Sequence, residues 1–378
     1  MEATVALSTR VAPSAALWGR RLHSATRQTT NRTRDPRTQT QSRIRQTSAA
    51  SSNFSKSGVI SGRTGGKWWK SPSYLDVHRP CSAVACTKQT VSIGSKFVYD
   101  IPGVYIEDTD CYEVVFYANY FAFFEKALQA ALGHKTLASL LYSSGITTNT
   151  LNIENGKYAF AARLGDAVTI ESKLLEIRTN STRWEQSATL SSSGKLLVSA
   201  DIELGFVNPD GSMARVPDNF GFAPAASAEG VAANELTMPV GAVLVETPVT
   251  VYAADVGPTG LLSNNAVLRY FERNRTDFIG GARGLKEVQE AGVAVVVVRF
   301  SNAKFAVGEF RLLGEHLVAR SVVELQRRDT TVVFHQMLFC GDKLVAQADI
   351  TCVCISQKNM RICACPDSIA VKIRGAKE

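Results

Sequence analysis

The 378-residue chain has no stretch near the roughly 20 consecutive apolar residues that a membrane-spanning helix requires. The sequence therefore predicts no membrane span. Its hydrophobic content of 45% and charged content of 20% are typical of a soluble globular protein. At this length the chain can hold two or three domains, each with a core of its own.

Acidic residues are almost absent from the first 90 positions, which contain 15 Lys and Arg but only Glu2, Asp35 and Asp76. This segment is rich in Ser, Thr and Arg, and it lacks the compact apolar core of a secretory signal. We interpret residues 1–95 as an organelle transit peptide that is removed somewhere within 81–96. CSAVAC (81–86) resembles a plastid processing site, so the expected location is the chloroplast stroma. WGRRLHSATR (18–27) would also suit a mitochondrial presequence, and a disordered basic arm is a third interpretation.

The other 288 residues lack an excess of positive charge, with 27 basic and 31 acidic side chains. A nucleic-acid partner is therefore not expected. Zinc-type C-x2–4-C spacing is also missing from the C-terminal cysteines, which occur as C-x-C at Cys352 and Cys354 and again at Cys363 and Cys365. We expect buried strand thiols and no metal or cofactor, with a metal site or a regulatory disulfide left open as alternatives.

The body of the chain repeats itself. VYIEDTD…FFEK (104–126) aligns with VYAADVG…YFER (251–273) at an offset of 147 residues (251 − 104), and GKLLVSADIEL (194–204) aligns with DKLVAQADITC (342–352) at 148 (342 − 194). Because the register holds through about a hundred residues, the sequence predicts a duplicated domain. The expected bounds are 96–207 for the first copy, 208–240 for a linker, 241–357 for the second copy and 358–378 for a C-terminal tail.

Each copy predicts a short strand, a loop, a helix and then antiparallel strands. The helices are expected at about 118–132 and 265–279 because aromatic and aliphatic residues recur there at helical spacing. Segments such as DAVTIESKLLEIR and KLLVSADIELGFVN alternate apolar and polar residues, which is typical of strands. The predicted fold class is α+β: a double hotdog, with two antiparallel β-sheets joined edge to edge and each wrapped around a central α-helix.

The stretch VYIEDTDCYEVVFYANYFAFFEKALQAALG (104–133) resembles the signature loop and helix of the 4-hydroxybenzoyl-CoA thioesterase-like (acyl-CoA thioesterase) hotdog family. The resemblance continues through LGDAVTIESKLLEI and GKLLVSADIELGFV, and it is weaker in the second copy, at LLSNNAVLRYFERNR and LLGEHLVARSVVEL. It implies a hydrolase that cleaves an acyl thioester, from acyl-CoA or an acyl-carrier protein, to a free acid and a thiol in fatty acid metabolism.

The resemblance implies Asp110 as the catalytic carboxylate, either attacking the carbonyl or deprotonating a water. Tyr117 and Asn119 are the implied substrate-binding residues. Asp110 could instead cap the helix that follows. Glu125 is expected to be a helix-end or interface acid, and Glu107 and Asp108 are expected to structure the loop.

The sequence departs from the family pattern in two places. Cys111, Tyr112 and Glu113 stand where relatives have small residues, and Gly257 stands where Asp110 stands in the first copy. The sequence therefore predicts one working site per chain, with the second copy as a structural partner inside an internal pseudo-dimer. Further association of fused chains is left open.

Two alternatives to this function class were considered. A non-catalytic acyl-thioester binding or scaffold protein stays open. Hotdog dehydratase chemistry is disfavoured because none of the body histidines, His134, His316 and His335, lies in a loop before a predicted central helix. The Asn-x-His pattern of plant acyl-carrier thioesterases has no counterpart in this chain.

Arg269, Arg273, Arg275 or Lys304 could contact CoA phosphates, or could be solvated surface residues.

Overall fold

A computed structural model describes residues 91–222, 236–306 and 312–375. The expected transit peptide, apart from residues 91–95, and the middle of the expected linker lie outside these ranges. The helices and strands of the first copy are β1 (Lys96–Ile101), α1 (Asn119–Leu132), α2 (His134–Ser144), β2 (Thr147–Tyr158), β3 (Val168–Ile177), β4 (Ser181–Leu190) and β5 (Lys195–Val207). A two-residue strand, β6 (Met213–Ala214), follows in the linker.

The second copy has the same order of elements. They are β7 (Val243–Thr250), α3 (Asn264–Ile279), α4 (Gly281–Glu290), β8 (Val293–Phe305), β9 (His316–Gln326), β10 (Thr331–Cys340) and β11 (Lys343–Ser356), followed by α5 (Asp367–Gly375). Helices α1 and α3 lie within one residue of the predicted bounds. Among the described residues, no helix has the length and apolar character needed to cross a membrane.

The strands form one antiparallel sheet of 11 strands in the order β1-β3-β4-β5-β2-β8-β11-β10-β9-β7, with β6 paired to β5. The order reads as two five-strand halves that meet at β2 and β8. Asn152 pairs with Lys304 and Lys157 pairs with Arg299. Applying the 147-residue offset turns the first of these pairs into the second, so a pseudo-two-fold axis passes between the two central strands.

Each of the two long helices packs against one half of the sheet. Helix α1 packs on β1, β3 and β4, helix α3 packs on β7, β9 and β10, and the two helices also touch each other. Phe124 and Phe271 are fully buried at equivalent positions. Such burial of a large aromatic side chain stabilises the fold by about 2 kcal/mol. The aromatic pattern that predicted wrapped helices therefore reflects core packing.

A pair of buried glutamines fixes the helices to the sheet in the same way in both halves. Gln186 of β4 donates to the Phe124 carbonyl, at 3.1 Å, and Gln336 of β10 donates to the Phe271 carbonyl, at 3.0 Å. Each amide also reaches a serine of the neighbouring strand. Buried polar groups are tolerated when they are hydrogen-bonded, so these glutamines set the depth of each helix against its sheet.

Three helices were not predicted. Helices α2 and α4 follow the long helices after Gly133 and after Gly280, which adopts a left-handed conformation. They were missed because they are short and mostly solvated. Helix α5 lies in the segment expected to be a tail, yet Ile369, Ala370 and Ile373 are buried. One apolar face of this helix packs against β9.

The outer face of the second half carries a histidine between two acids. His335 Nδ1 lies 2.7 Å from Asp349 Oδ1, and Glu324 Oε1 lies 3.9 Å from Nε2. The hydrogen bond to Asp349 raises the pKa of His335 above its usual value. A raised native pKa contributes stability that is fully present below the unfolded pKa, about 6.5, and is lost as pH rises through the native pKa.

We therefore expect the free energy of unfolding to decline as pH rises above about 6.5, and His335→Gln to remove part of that decline. Urea titrations at a series of pH values measure the slope, and Asp349→Asn is the matched control that removes the partner. An unchanged slope in both variants would contradict the prediction. Because the side chains are 25% and 30% exposed, solvent screening keeps the effect small.

Two buried thiols lie where the C-terminal segment meets the sheet. Cys354 of β11 and Cys365 are both buried, and their sulfur atoms are 2.6 Å apart. Cys352 is buried on the same strand, as an interior strand thiol should be. Within the described residues, no cluster of His, Cys, Asp and Glu could hold a metal ion. The regulatory-disulfide alternative therefore has a specific candidate pair.

We expect a small diazene oxidant such as diamide to convert Cys354 and Cys365 to a disulfide. Diamide accepts the two electrons and two protons that the thiols lose. Closing this short loop should raise stability by about 2–3 kcal/mol. Thermal unfolding with and without oxidant measures the change, and mass spectrometry of tryptic peptides identifies the bond. The change should persist in Cys352→Ala and vanish in Cys365→Ala; a disulfide to Cys352 instead would be the opposing result.

Candidate functional site

The first loop (residues 106–116) is a compact hairpin-like turn ahead of α1. The Tyr105 N–H donates to Asp108 Oδ2 at 2.9 Å, and Asn119 Nδ2 donates to the Asp108 carbonyl at 3.1 Å. Asp108 therefore structures the loop, as expected. Glu113 has φ of 60°, a left-handed conformation that costs a non-glycine residue about 1 kcal/mol.

Asp110 lies within this turn and is half-buried. Its Oδ1 accepts a hydrogen bond of 2.8 Å from the Tyr112 N–H, so the side chain closes the turn onto its own backbone and does not cap α1. Burial raises the pKa of Asp110, and the negative charge of Glu272 on α3 adds to the shift, while the Tyr112 N–H opposes it. The carboxyl is thus a partly desolvated group at the contact between the two copies.

The second loop (residues 253–263) has the same backbone. The Asp110 N–H donates to the Val114 carbonyl at 2.9 Å, and the Gly257 N–H donates to the Leu261 carbonyl at 2.8 Å. The Tyr252 N–H donates to Asp255 Oδ2 at 2.9 Å, matching the bond at Asp108. Gly257 is therefore the structural equivalent of Asp110, and Asp255 is the equivalent of Asp108.

Tyr117 and Asn119, the two expected substrate-binding residues, have structural contacts. The Tyr117 hydroxyl donates to the Leu268 carbonyl of α3 at 2.9 Å, and burial raises the pKa of Tyr117 to about 12. Asn119 anchors the first loop by its bonds to the Glu107 and Asp108 carbonyls. Neither side chain lines the cavity of about 260 Å³ beside the second loop.

Arg275 was one of four candidate contacts for CoA phosphates, with a solvated surface residue as the alternative, and its buried position fits neither interpretation. Its side chain is 5% exposed, it forms an ion pair with Glu272, and its guanidinium lies 4.8 Å from the ring centre of Tyr117. It also donates to Gln336 Oε1 at 2.5 Å. Arg275 therefore holds Glu272 and the helix–sheet contact together from inside the protein.

Tyr112, noted in the sequence only as a departure from the family pattern, has an unusual environment. Its hydroxyl is buried, and among the described residues none forms a hydrogen bond with it. Burial raises the pKa of Tyr112 to about 12, with the Cys111 and Asp110 charges adding to the shift. The phenol thus stays protonated near neutral pH and offers an unused donor two residues from Asp110.

A cavity of about 260 Å³ lies on the opposite side of the pseudo-two-fold axis, beside the second loop. It is bounded by α1, α2 and β2 of the first copy and by residues 257–264 of the second copy. Glu125 and Gln129 of α1 contribute polar groups to its wall. The expectation that this side of the molecule has no reagent therefore no longer follows, because Glu125 supplies a carboxylate there.

Sequence reasoning named Glu125 and Tyr112 without giving them a place in a site, and it missed the pairing of Glu272 with Arg275. One signal was present: at the offset of 147, Glu125 corresponds to Glu272, but Arg275 corresponds to Leu128. Two equivalent acids with only one neighbouring cation indicate unequal sites. The pattern does not reveal which side chains fill the space between copies, since that depends on packing across the pseudo-two-fold axis.

Known proteins were compared with the chain at three levels. No protein-family model matches it, and no curated protein matches it. A Lactobacillus plantarum structure, provisionally assigned as an oleoyl thioesterase, aligns with 69% of this chain and 96% of its own, with a TM-score of 0.53 and 10% identity.

Two further solved structures have lower scores. A 12:0-ACP thioesterase from Umbellularia californica aligns with 68% of this chain and 93% of its own, with a TM-score of 0.49 and 10% identity. A 4-hydroxybenzoyl-CoA thioesterase variant, solved with 4-hydroxybenzoyl-CoA, aligns with 33% of this chain and 95% of its own, with a TM-score of 0.30 and 21% identity. At these identities the likeness establishes the fold alone, and it rests on the Lactobacillus structure: the chain has an α+β hotdog fold.

Proposed function

We propose that this protein hydrolyses an acyl thioester, of CoA or of an acyl-carrier protein, to a free acid and a thiol. The observation that carries the proposal is the Asp110 carboxyl. It is half-buried at the contact between the first loop and α3, and burial raises its pKa. A carboxylate whose pKa is moved toward neutrality is a better proton acceptor than a solvated one.

The chemistry needs a nucleophile and a partner for the oxyanion that develops on the carbonyl oxygen. In one proposed route Asp110 attacks the thioester carbon, the carbon–sulfur bond breaks and the thiolate leaves; water then hydrolyses the anhydride to the free acid and the Asp110 carboxylate, and the proton that this releases protonates the thiolate. In the other route Asp110 takes a proton from a water that attacks the same carbon, the carbon–sulfur bond breaks, and Asp110 returns the proton to the thiolate. The unpaired Tyr112 hydroxyl is suited to donate a hydrogen bond to the oxyanion, and its pKa of about 12 keeps it protonated.

The proposed architecture is a double hotdog, in which the fused chain supplies its own dimer. The support is the pseudo-two-fold pairing of β2 with β8 and the matching hydrogen bonds of the two loops. The similarity to the Lactobacillus structure also spans 69% of this chain, more than one copy contains. Fusion hides the two central sheet edges, which would otherwise be exposed to pairing with other chains.

Location in a plastid remains a proposal that rests on the basic, acid-poor leader. A fluorescent fusion of residues 1–95 tests it, with import into chloroplasts as the expected result. Import into mitochondria would support the alternative, and a cytosolic signal would contradict the targeting assignment.

Thiol release from acyl thioesters tests the proposed function. Full-length protein is mixed with acetyl-, octanoyl-, palmitoyl- and benzoyl-CoA and with acyl-carrier protein loaded with the same groups, and free thiol is measured with a chromogenic disulfide. We expect turnover of at least one substrate.

A non-catalytic acyl-thioester binder is the competing function, favoured by the bulky Tyr112 beside Asp110. Saturable binding of a substrate with no thiol release from any member of the panel would support it and overturn the hydrolase proposal.

A further inference from the structure

The cavity of about 260 Å³ lies beside the second loop, where Gly257 stands in place of Asp110. Its apolar wall is formed by Leu137, Leu141, Ile146, Leu204, Leu261 and Leu262. A recess of about 20 Å³ beside it shares Leu261 and Leu262 and extends to Phe305 and Leu312 of the second copy. The lining of these two spaces combines polar and apolar side chains, which suits a ligand with one polar end and one hydrocarbon end.

The cavity exists because the second loop has smaller side chains than the first. At the offset of 147 residues, Asp110 becomes Gly257, Tyr112 becomes Thr259, Phe116 becomes Ser263 and Tyr117 becomes Asn264. A Cβ atom at Gly257 would meet nothing closer than the Leu261 carbonyl, at 3.8 Å. The space that aromatic rings occupy on the Asp110 side is thus open on the Gly257 side.

Glu125 and Glu272 hold equivalent positions on α1 and α3 but have unequal partners. Glu272 is paired with the buried Arg275. The residue equivalent to Arg275 in the first copy is Leu128, and the partner that the structure gives Glu125 is the amide of Gln129, with 3.1 Å between Nε2 and Oε1. The carboxylate of Glu125 therefore has an amide as its neighbour, whereas the carboxylate of Glu272 has a guanidinium.

The surroundings of Glu125 combine access with desolvation. Its side chain is exposed to solvent and lines the cavity wall, next to the protein atoms of that wall. Desolvation raises the pKa of Glu125, and the Gln129 amide opposes the shift. A reachable carboxylate with a raised pKa is the type of group that general-base catalysis uses.

We propose that this cavity is a second thioester site, in which Glu125 of α1 is the general base in place of a loop acid. The proposal rests on the proposed function for its ligand class. Glu125 takes a proton from a water molecule, and the water oxygen forms a bond to the thioester carbon. The carbon–sulfur bond breaks, and the thiolate leaves as a thiol after it receives the proton from Glu125.

In this proposal the acyl chain lies along the leucine side chains of the cavity wall, and the thioester lies near Gln129 and Asn264. Asn264 bridges the two copies there, since its Nδ2 donates to Asn149 Oδ1 at 3.1 Å. The two sites of one chain then use carboxylates from different elements: Asp110 from the first loop on one side and Glu125 from the first helix on the other.

Two measurements on full-length protein test this proposal. Titration with the octyl-CoA thioether, which cannot be hydrolysed, should give two equivalents bound by the wild type. One equivalent should be bound by Ser263→Phe/Asn264→Tyr, which restores the bulk of the first loop. Thr259→Tyr repeats the test with one substitution if the double variant unfolds. For turnover, Asp110→Asn should keep a residual rate that Glu125→Gln lowers by about a hundredfold. Glu185→Gln, an exposed acid on β4, should change nothing.

The outcomes separate this proposal from the hydrolase proposal. If the wild type binds one equivalent of the thioether, and the variants that refill the cavity also bind one, the second site is overturned and the proposed role of Asp110 is unaffected. A residual rate in Asp110→Asn that Glu125→Gln does not lower also overturns the second site. If Glu125→Gln alone abolishes turnover and Asp110→Asn leaves turnover unchanged, the cavity site is supported and the role of Asp110 is overturned. Two equivalents bound with no hydrolysis by any variant overturns both catalytic roles.

Discussion

Replacing Asp110 by Asn in protein that already carries Glu125→Gln should lower thioester turnover by two or more orders of magnitude. The glutamine background isolates the first-loop site. Asn keeps the size of the side chain and an oxygen that can accept the 2.8 Å bond from the Tyr112 N–H, so the turn should stay closed. It cannot attack the carbonyl as a carboxylate or accept a proton from water, and such groups contribute about 10²–10⁴-fold to rate.

Asp255→Asn is the matched control, because Asp255 has a loop-structuring role and lies on the second loop. It should cost little turnover, since an amide oxygen can still accept from the Tyr252 N–H. Single-turnover rates with the best substrate of the panel measure the effect. If Asp110→Asn in the Glu125→Gln background keeps more than about a tenth of the rate of that background while folding normally, the loss is under about 1.4 kcal/mol of barrier and Asp110 is not the reagent.

The pH dependence offers an independent check on the same carboxyl. Burial and the charge of Glu272 raise the pKa of Asp110, and the reactive form is the ionised one. Turnover at this site should therefore fall as pH drops, and it should fall at a higher pH than an ordinary aspartate would give. Tyr112→Phe should leave this profile in place and lower the maximal rate, because it removes the oxyanion donor and no titrating base.

The repeat predicted more of this structure than any single motif did. Its 147-residue offset gave both α1 and α3 to within one residue and identified Gly257 as the equivalent of Asp110. The alternating patterns predicted the strands because one face of a half-buried sheet is apolar and the other is polar, and successive residues of a strand point to opposite faces. These features are local or are repeated in the chain, so sequence spacing is enough to find them.

Contacts between the copies could not be predicted in the same way. Tyr117 was assigned to substrate because of its place in the motif, but it is fixed to Leu268 of the other copy. The cavity lies beside the second loop because small residues there face α1 across the pseudo-two-fold axis, a combination that no single stretch of sequence contains. Functional predictions drawn from one copy thus needed the packing of both copies to be placed correctly.

Replacing Arg275 by Leu, the residue at the equivalent position of the first copy, should destabilise the protein by about 3 kcal/mol. The substitution leaves Glu272 without its cation and Gln336 Oε1 without its donor. Breaking one partner of a buried ion pair typically costs about 3–5 kcal/mol, and the 35% exposure of Glu272 places this case at the lower end because water can solvate the remaining charge. Thermal unfolding should show a drop of about 6–12 °C.

Adding Glu272→Gln to Arg275→Leu should recover part of the loss, because the unpaired charge is then gone. The same two variants also test how the charge of Glu272 affects the pKa of Asp110. In Arg275→Leu the charge of Glu272 is no longer balanced, so it should raise the pKa of Asp110 further and shift the pH dependence of turnover to higher pH, whereas the double variant should shift it back. If Arg275→Leu changes neither the melting temperature nor the pH profile, then the ion pair does not couple the helix to the first loop. Destabilisation without the pH shift would keep Arg275 as a structural residue and remove Glu272 from the environment that tunes Asp110.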